Sequence, residues 1–363
     1  MIIQQLAIKN FRNYETAEVE FEKGLNIIVG QNGVGKTNLV EAIYYLSFAR
    51  SFRTLMHQDL IMREKDFAQI TAKLKVEDED RKIRIIISKE GQKISCNGNE
   101  ITKLSELISY FNVLVFEPKD VLLFQTSPRV RRSYLNMQIS KLSKRYLEIC
   151  SKCSKLTKER NAILKSNNCN LTHLEVVTKQ IIELSYEICQ ARKQYLKQIE
   201  PIVNKILDEI SFINRKVELR YRGFVDFETK EQFLENAEKA FKSTLEADLK
   251  RKATTIGVHH EDFSTSLNGA EISVCGSQGE KRLVAIAIKL SPYFLLKEKK
   301  MKPVVVLDDA FSELDKTHQD KLVKFLQKFN QVFITGTEIN KDYDATIYEV
   351  ANKKVIRRNN RGR

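Results

Sequence analysis

The mix of apolar and polar positions over residues 2–9 and 15–21 reads as two strands flanking Asn10-Phe11-Arg12-Asn13-Tyr14. An apolar run follows, and 24–29 is expected to join those strands at the start of one sheet. Residues 67–76 and 81–88 alternate at period two, and 92–96 runs into an Asn97-Gly98 turn, the pattern of antiparallel hairpins. Residues 111–116 read as a short apolar strand stopped by Pro118. From 128 to 208 the apolar spacing changes to three and four: Tyr134, Ile139, Leu142, Tyr146, Ile149, Leu156 and Leu164, then Leu174, Val177, Ile181, Leu184 and Ile188. The polar break Ser166-Asn167-Asn168 divides this run, predicting a long antiparallel helical hairpin with Pro201 kinking or interrupting its second arm. Strands return at 217–221 and 263–267 around a helix at 231–249. The last hundred residues alternate helix and strand at 278–291, 303–308, 316–328 and 331–335.

Between the strand at 24–29 and an amphipathic segment at 38–46 lies Gly30-Gln31-Asn32-Gly33-Val34-Gly35-Lys36-Thr37. Strand, glycine turn and helix in this order match the P-loop spacing. Its glycines let backbone N–H groups converge on phosphate oxygens, and the following helix adds its positive end. Lys36 can reach the outer phosphates, and Thr37 can offer its hydroxyl to Mg²⁺. The chain is therefore expected to bind a nucleoside triphosphate, ATP, with Mg²⁺.

Residues 302–309 form a buried-strand pattern ending in Asp308 and Asp309. Beside a P-loop, Asp308 is assigned to the metal and Asp309 to polarising the attacking water. Ser277-Gln278-Gly279-Glu280 opens a helix. S-x-x-E is also an ordinary capping box, while Gly279 leaves the helix start open to a phosphate, and both readings stand. Thr335-Gly336-Thr337 ends the next strand as a γ-phosphate sensor would, and Ser312 and Asp315 follow the acid pair toward the same sheet edge.

The net charge of +14 is concentrated. Residues 129–165 hold eleven Lys/Arg, among them Arg129, Arg131, Arg132, Lys141, Lys144 and Arg145, against Glu148 and Glu159; the tail 351–363 holds six and no acid. Two local basic segments suggest a polyanion partner, and the six named cations are the candidate DNA contacts. No apolar stretch is long enough for a membrane span, and the N-terminus has no secretory pattern, so a cytoplasmic chain with reduced cysteines is expected. Cys150-Ser151-Lys152-Cys153 supplies two metal ligands where zinc takes four, and it sits mid-helix, so no structural metal is expected.

In this order and spacing the motifs resemble the ATP-binding-cassette heads of chromosome and repair ATPases, and among them the RecF family of bacterial recombination mediators. The resemblance spans nearly the whole chain and includes Asn10 to Tyr14, the P-loop, Ser127-Pro128-x-x-Arg131-Arg132, Arg160-Asn161 with Leu164-Lys165, 277–280, and Leu307-Asp308-Asp309 with Ser312-Glu313-Leu314-Asp315. The 240 residues between Lys36 and Ser277 suit a short helical lobe, not the long coiled coils of Rad50-type or SMC-type proteins. The family usually reads Gly-Pro-His-Arg-Asp-Asp where this chain has Gly257-Val258-His259-His260-Glu261-Asp262, so an arginine role is not carried over there.

The resemblance implies an α/β ABC-type P-loop ATPase head, a mixed sheet with helices, plus a mainly helical lobe containing the hairpin. Its implied domains are 1–115 (head with Walker A), 116–255 (basic helical lobe) and 256–363 (head with signature and Walker B). It adds Arg12 and Asn13 to the ATP contacts and makes 277–280 the signature that completes the site of a second copy. An ATP-state homodimer gripping duplex and gapped DNA, with RecR and RecO as partners and slow hydrolysis, is what it implies. A transporter nucleotide-binding subunit, or a DNA-binding adaptor that uses ATP only as glue, are the alternatives.

Overall fold

The computed structural model describes residues 1–76, 79–125, 127–166, 168–211, 216–298, 302–338 and 343–358. Asn167 of the expected polar break, and Arg361 and Arg363 of the basic tail, lie outside them. The chain divides into two compact units, one of Met1–Asp120, Lys205–Ile213 and Arg282–Arg363, the other of Val121–Asn204 and Asn214–Lys281.

The first unit opens with β1 (Ile2–Phe11), β2 (Tyr14–Glu20), β3 (Gly24–Val29) and α1 (Lys36–Phe48). Strands β4 (Phe67–Val76), β5 (Glu79–Ser88), β6 (Gly91–Cys96) and β7 (Asn99–Glu100) follow, then α2 (Leu104–Tyr110) and β8 (Val113–Phe116). The second unit holds α3 (Pro128–Leu142), α4 (Lys144–Lys165), most of α5 (Leu171–Ile210), β9 (Val217–Arg222), α6 (Lys230–Ser243), α7 (Leu245–Arg251), β10 (Asp262–Leu267), β11 (Ala270–Glu271) and α8 (Ile272–Cys275). Helix α9 (Gln278–Leu290) leads back to the first unit, which ends with α10 (Pro292–Glu298), β12 (Val304–Leu307), α11 (Lys316–Leu326), β13 (Gln331–Gly336), β14 (Thr346–Ala351) and β15 (Lys354–Arg357).

Two six-stranded sheets build the first unit. One is antiparallel in the order β2-β1-β4-β5-β6-β7; the other, in the order β15-β14-β3-β13-β12-β8, is parallel except for β15. The expectation that 24–29 joins the first two strands in one sheet is thus corrected. β1 shows buried and accessible positions in turn, as a strand with one wet face must, whereas β3 is buried at every position after Gly24. A strand covered on both faces belongs in the middle of a parallel sheet. Gln331 ties the two sheets together: its side chain accepts from Ile3 N and donates to Ile3 O, both at 2.8 Å.

In the second unit the helix expected across 128–165 is broken at Ser143, whose hydroxyl accepts from Tyr146 N at 3.2 Å and so caps α4. The helix expected at 231–249 likewise divides at Thr244. α5, in contrast, runs through Pro201 without interruption. Pro201 is exposed, while Leu196, Ile199 and Val203 are buried on either side of it, so packing of the inward stripe holds the helix where the ring removes a hydrogen bond. β9, β10 and β11 form a three-stranded antiparallel sheet. Among the described residues no helix is long and apolar enough to cross a membrane.

Candidate nucleotide-binding site

The P-loop leaves the carboxyl end of β3 and enters α1. Gly33 and Gly35 have φ of 82° and 120°, a region side chains rarely adopt. A Cβ on Gly35 would also stand 2.8 Å from Asn13 Nδ2 and 2.9 Å from Tyr14 Oη. Those two side chains hold the loop from behind. Asn13 Nδ2 donates to Val34 O at 3.1 Å, Tyr14 Oη to Gly35 O at 3.1 Å, and Asn38 Nδ2 to Asn13 Oδ1 at 2.7 Å. Gln31, Asn32 and Gly33 remain exposed at the tip. Lys36 Nζ folds back to donate to Gly30 O at 2.6 Å and Gln31 O at 2.8 Å. Burial depresses its pKa, and Asp309 and Asp308 oppose that shift.

Asp308 follows β12, and its backbone N–H donates to Phe116 O at the end of β8, at 2.8 Å. Its Oδ1 accepts from Thr37 Oγ1 at 3.1 Å and from Thr335 Oγ1 at 2.6 Å. Burial raises its pKa, and the two hydroxyls pull it down. Thr335 Oγ1 in turn accepts from Asp309 N at 2.9 Å. Asp309 itself has φ 48° and an exposed side chain, so the chain turns just where one carboxylate is buried beside Thr37 and the next faces water. P-loop, Asp308, Asp309 and Thr335 therefore meet at one edge of the parallel sheet. Thr337 is exposed and Asp315 caps α11, accepting from His318 N at 2.9 Å.

Three charged side chains, Glu41, Arg53 and Arg282, escaped the sequence reading. Glu41 is fully buried in α1 and accepts from Arg12 Nε at 2.9 Å and Nη2 at 2.7 Å, from Arg53 Nη1 at 3.3 Å and from the Ser51 hydroxyl. A single carboxylate among Leu39, Val40, Ala42 and Ile43 was the available signal. Arg12 thus spends its fork on Glu41 and also donates to Asp59 O, while Asn13 braces the loop. Arg282, 2% exposed, sits one turn into α9 and donates to Asp309 O at 2.7 Å, Ser312 Oγ at 2.9 Å and Glu313 Oε2 at 2.6 Å. Nothing in its spacing distinguished it from a surface arginine.

In the second unit, Ser277 and Glu280 cap each other: Ser277 N donates to Glu280 Oε2 at 2.9 Å and Glu280 N to Ser277 Oγ at 3.2 Å. Ser277 and Gln278 are exposed, and a Cβ on Gly279 would meet nothing within 4 Å. The helix start is both a capping box and an open approach, so the two readings of 277–280 are compatible.

The model of the RecF/RecN/SMC N terminal domain matches residues 2–354. The DNA replication and repair protein RecF of Geobacillus sp. is 35% identical over 98% of this chain and 97% of its own length, and that of Bacillus thuringiensis is 36% identical over 94% and 93%. The chain belongs to the RecF family. Two solved structures of the recombination mediator protein RecF in the RecFOR pathway, one with ATP, superimpose with TM-scores of 0.90 at 30% identity, covering 98% of this chain and 98% and 97% of theirs. An SMC head bound to the C-winged helix domain of ScpA, 17% identical with a TM-score of 0.56 over 98% of this chain and 97% of its own, shares the fold. The α/β ABC-type head read from the motif order is the fold of the RecF family.

The RecF-like basic segment is less free than its charge count suggests. Arg131 Nε and Nη2 bond both oxygens of Asp262 at 2.6 and 2.8 Å, Arg132 Nη1 donates to Glu261 O at 2.7 Å, and Lys141 is 3% exposed. Of these three candidate DNA contacts, Arg131 and Arg132 are half-buried and Lys141 is buried, so all three are engaged within the unit. Arg129, Lys144 and Arg145 are exposed, Arg145 beside Glu187 at 2.9 Å. The departure at 257–262 also has a physical account. Glu261, 2% exposed, accepts from Arg192 Nη1 at 2.6 Å, from the Tyr221 hydroxyl and from Cys189 Sγ at 3.0 Å, so this segment locks the unit internally. Arg160, another residue of the resemblance, pairs with buried Asp248 at 2.7 Å. Cys150 and Cys153 lie within α4, the first half-buried and the second buried.

Proposed function

We propose that this chain is an ATP-dependent DNA-binding clamp of recombinational repair and replication restart, two copies of which close around ATP and grip duplex or gapped DNA. The observation that carries the reading is the convergence of Lys36, Thr37, Asp308 and Thr335 on one sheet edge, in a chain with a single P-loop and a single, open 277–280 helix start. One P-loop and one signature per chain make two complete sites only when copies pair with twofold symmetry, each covering the other's nucleotide.

An arriving triphosphate would take Lys36 from its two loop carbonyls, exchanging neutral acceptors for charged ones. Thr37 and Asp308 would hold Mg²⁺, which supplies positive charge against the phosphate oxygens. The donor set fits, because Asp308 is buried, carries an oxygen already oriented by two hydroxyls and lies next to the hydroxyl of the P-loop threonine. Asp309 is left to accept the proton of the attacking water, and one Thr335 oxygen holds both the Asp308 carboxylate and the Asp309 backbone N–H. Arg282 holds the Asp309 carbonyl and the Ser312 hydroxyl from the helix that begins with the signature, so it acts as a positioning residue. Slow hydrolysis then opens the clamp.

Exposed Arg129, Lys144 and Arg145 supply sequence-independent phosphate contacts, so duplex affinity falls with salt. Family membership supports RecR and RecO as partners and a cytoplasmic setting. The reading is tested by fluorescence anisotropy of a labelled gapped duplex with ATP–Mg²⁺, with ADP, and with Ser277→Arg. Retention at least about tenfold tighter in ATP than in ADP, and lost in Ser277→Arg, is expected. Equal retention in all three conditions contradicts the reading.

A further inference from the structure

The antiparallel sheet of the first unit turns one face to α1 and leaves the other open. Leu6, Ile8, Ile70, Leu74, Ile83 and Ile85 fill the covered face, all 3% exposed or less. The strand register lays the open face out in rows. One row reads Glu20, Gln5, Lys73, Lys82 and the next Glu18, Ala7, Thr71, Arg84, Ser95; a third reads Thr16, Lys9, Gln69, Ile86, Lys93. Across β4, β5 and β6 these rows hold Lys73, Lys82, Arg84 and Lys93 and no acid. Acids return at the margins, as Glu18 and Glu20 on β2, Asp80 opposite Lys75, and Glu100 on β7 opposite Ser95.

Lys73 and Lys82 face each other directly, with Arg84 two residues along the strand. Like charges directly opposite on a sheet oppose folding. Among the described residues, none of Lys9, Lys73, Lys82, Arg84 and Lys93 makes an ion pair. Glu18 is already engaged by Gln5 Nε2 at 2.6 Å. The Arg84 fork is oriented as well: Nη2 donates to Gln69 Oε1 at 2.7 Å, and Gln69 Nε2 to Thr71 Oγ1 at 3.2 Å. A trough of about 370 Å³, lined by Ala7, Thr71, Lys73, Lys82 and Arg84 among others, runs over these rows.

We propose that this open face, centred on Lys73, Lys82 and Arg84, binds the phosphate backbone of duplex DNA, as a second footprint separate in sequence from the exposed cations of α3 and α4. The proposal rests on the duplex-binding reading above. The cations repel one another without a partner, and a polyanion removes that repulsion while releasing its own counterions. Duplex is favoured over single strand because, among the described residues of these three rows, none is an aromatic on which an unpaired base could stack. The outward aromatic of these strands, Phe67, has the Lys9 ammonium over its ring at 5.8 Å.

The test is the salt dependence of binding of a blunt labelled duplex by full-length protein, parent against the triple variant Lys73→Gln, Lys82→Gln, Arg84→Gln, with ATP binding measured alongside to certify the fold. The triple variant is expected to lower the slope of log affinity against log salt by about three, and Lys82→Thr alone by about one. Lys82→Thr also removes the like-charge pair, so it should melt no lower than the parent, which keeps the test valid if the triple variant folds poorly. A matching single strand should show a smaller change than the duplex. An unchanged slope in variants that still bind duplex overturns this footprint alone; a parent chain that binds no duplex at any salt overturns it together with the clamp reading.

Discussion

Glu117 shows how a single side chain can carry a measurable consequence that its neighbours in sequence do not announce. It follows β8, at the register position beside Asp308, is 7% exposed, and has Lys119 at 3.1 Å. Burial, with Asp120 adding to it, pushes its carboxyl up to about 7, against the pull of Lys119 and Lys289. The folded state therefore binds this proton more tightly than the unfolded chain. Its stabilising effect is complete below the ordinary value of 4.5 and is lost as pH rises through about 7. Glu117→Gln should raise the melting temperature by several degrees at about pH 8 and leave it nearly unchanged at about pH 4, as read by calorimetry. Equal effects at both ends of that range would mean that Glu117 is not buried as a proton-binding group. At this scale the sequence was legible where chemistry dictates spacing, as in Lys36, Thr37, Asp308 and the Ser277–Glu280 cap. It was silent where a charge is set by a tertiary partner: Arg131 and Arg132 looked like surface cations until Asp262 and the Glu261 carbonyl placed them.

The elements were readable wherever one period ran long enough. Alternation marked β4 and β5, and the three-four spacing marked α5. What periodicity missed were interruptions that leave the apolar stripe intact, such as the cap at Ser143 and the step at Thr244. It missed sheet membership for β3 as well, since a buried parallel strand and a neighbouring strand of another sheet can adjoin in sequence. Helix α9 illustrates the opposite case, an element found correctly while its buried arginine went unremarked. Arg282, one turn into this helix, bonds the Asp309 carbonyl and the Ser312 hydroxyl. Arg282→Gln should preserve ATP affinity within about threefold and lower turnover by about tenfold or more, because in the proposed mechanism Asp309, which serves the attacking water, loses its support. Single-turnover hydrolysis beside equilibrium nucleotide binding separates the two effects. A proportional loss of both would make Arg282 a residue of nucleotide binding instead.

For the molecule as a whole, family membership followed from motif order, since P-loop, helical insertion, signature and Asp308-Asp309 occur once each along the chain in the RecF arrangement. Charge was a coarser guide. Of the six cations first read as DNA contacts, Arg131, Arg132 and Lys141 are held inside the second unit, whereas the open sheet face of the first unit carries lysines that no sequence window singled out. A strand distributes its outward residues across neighbours distant in sequence, so only the register brings Lys73, Lys82 and Lys93 onto one surface. The central claim remains that ATP joins two copies of this chain. Light scattering coupled to gel filtration, with and without ATP–Mg²⁺, tests it most directly. The account predicts that the mass doubles with ATP in the parent and stays that of one chain in Ser277→Arg; the same mass in the parent with and without ATP would contradict it.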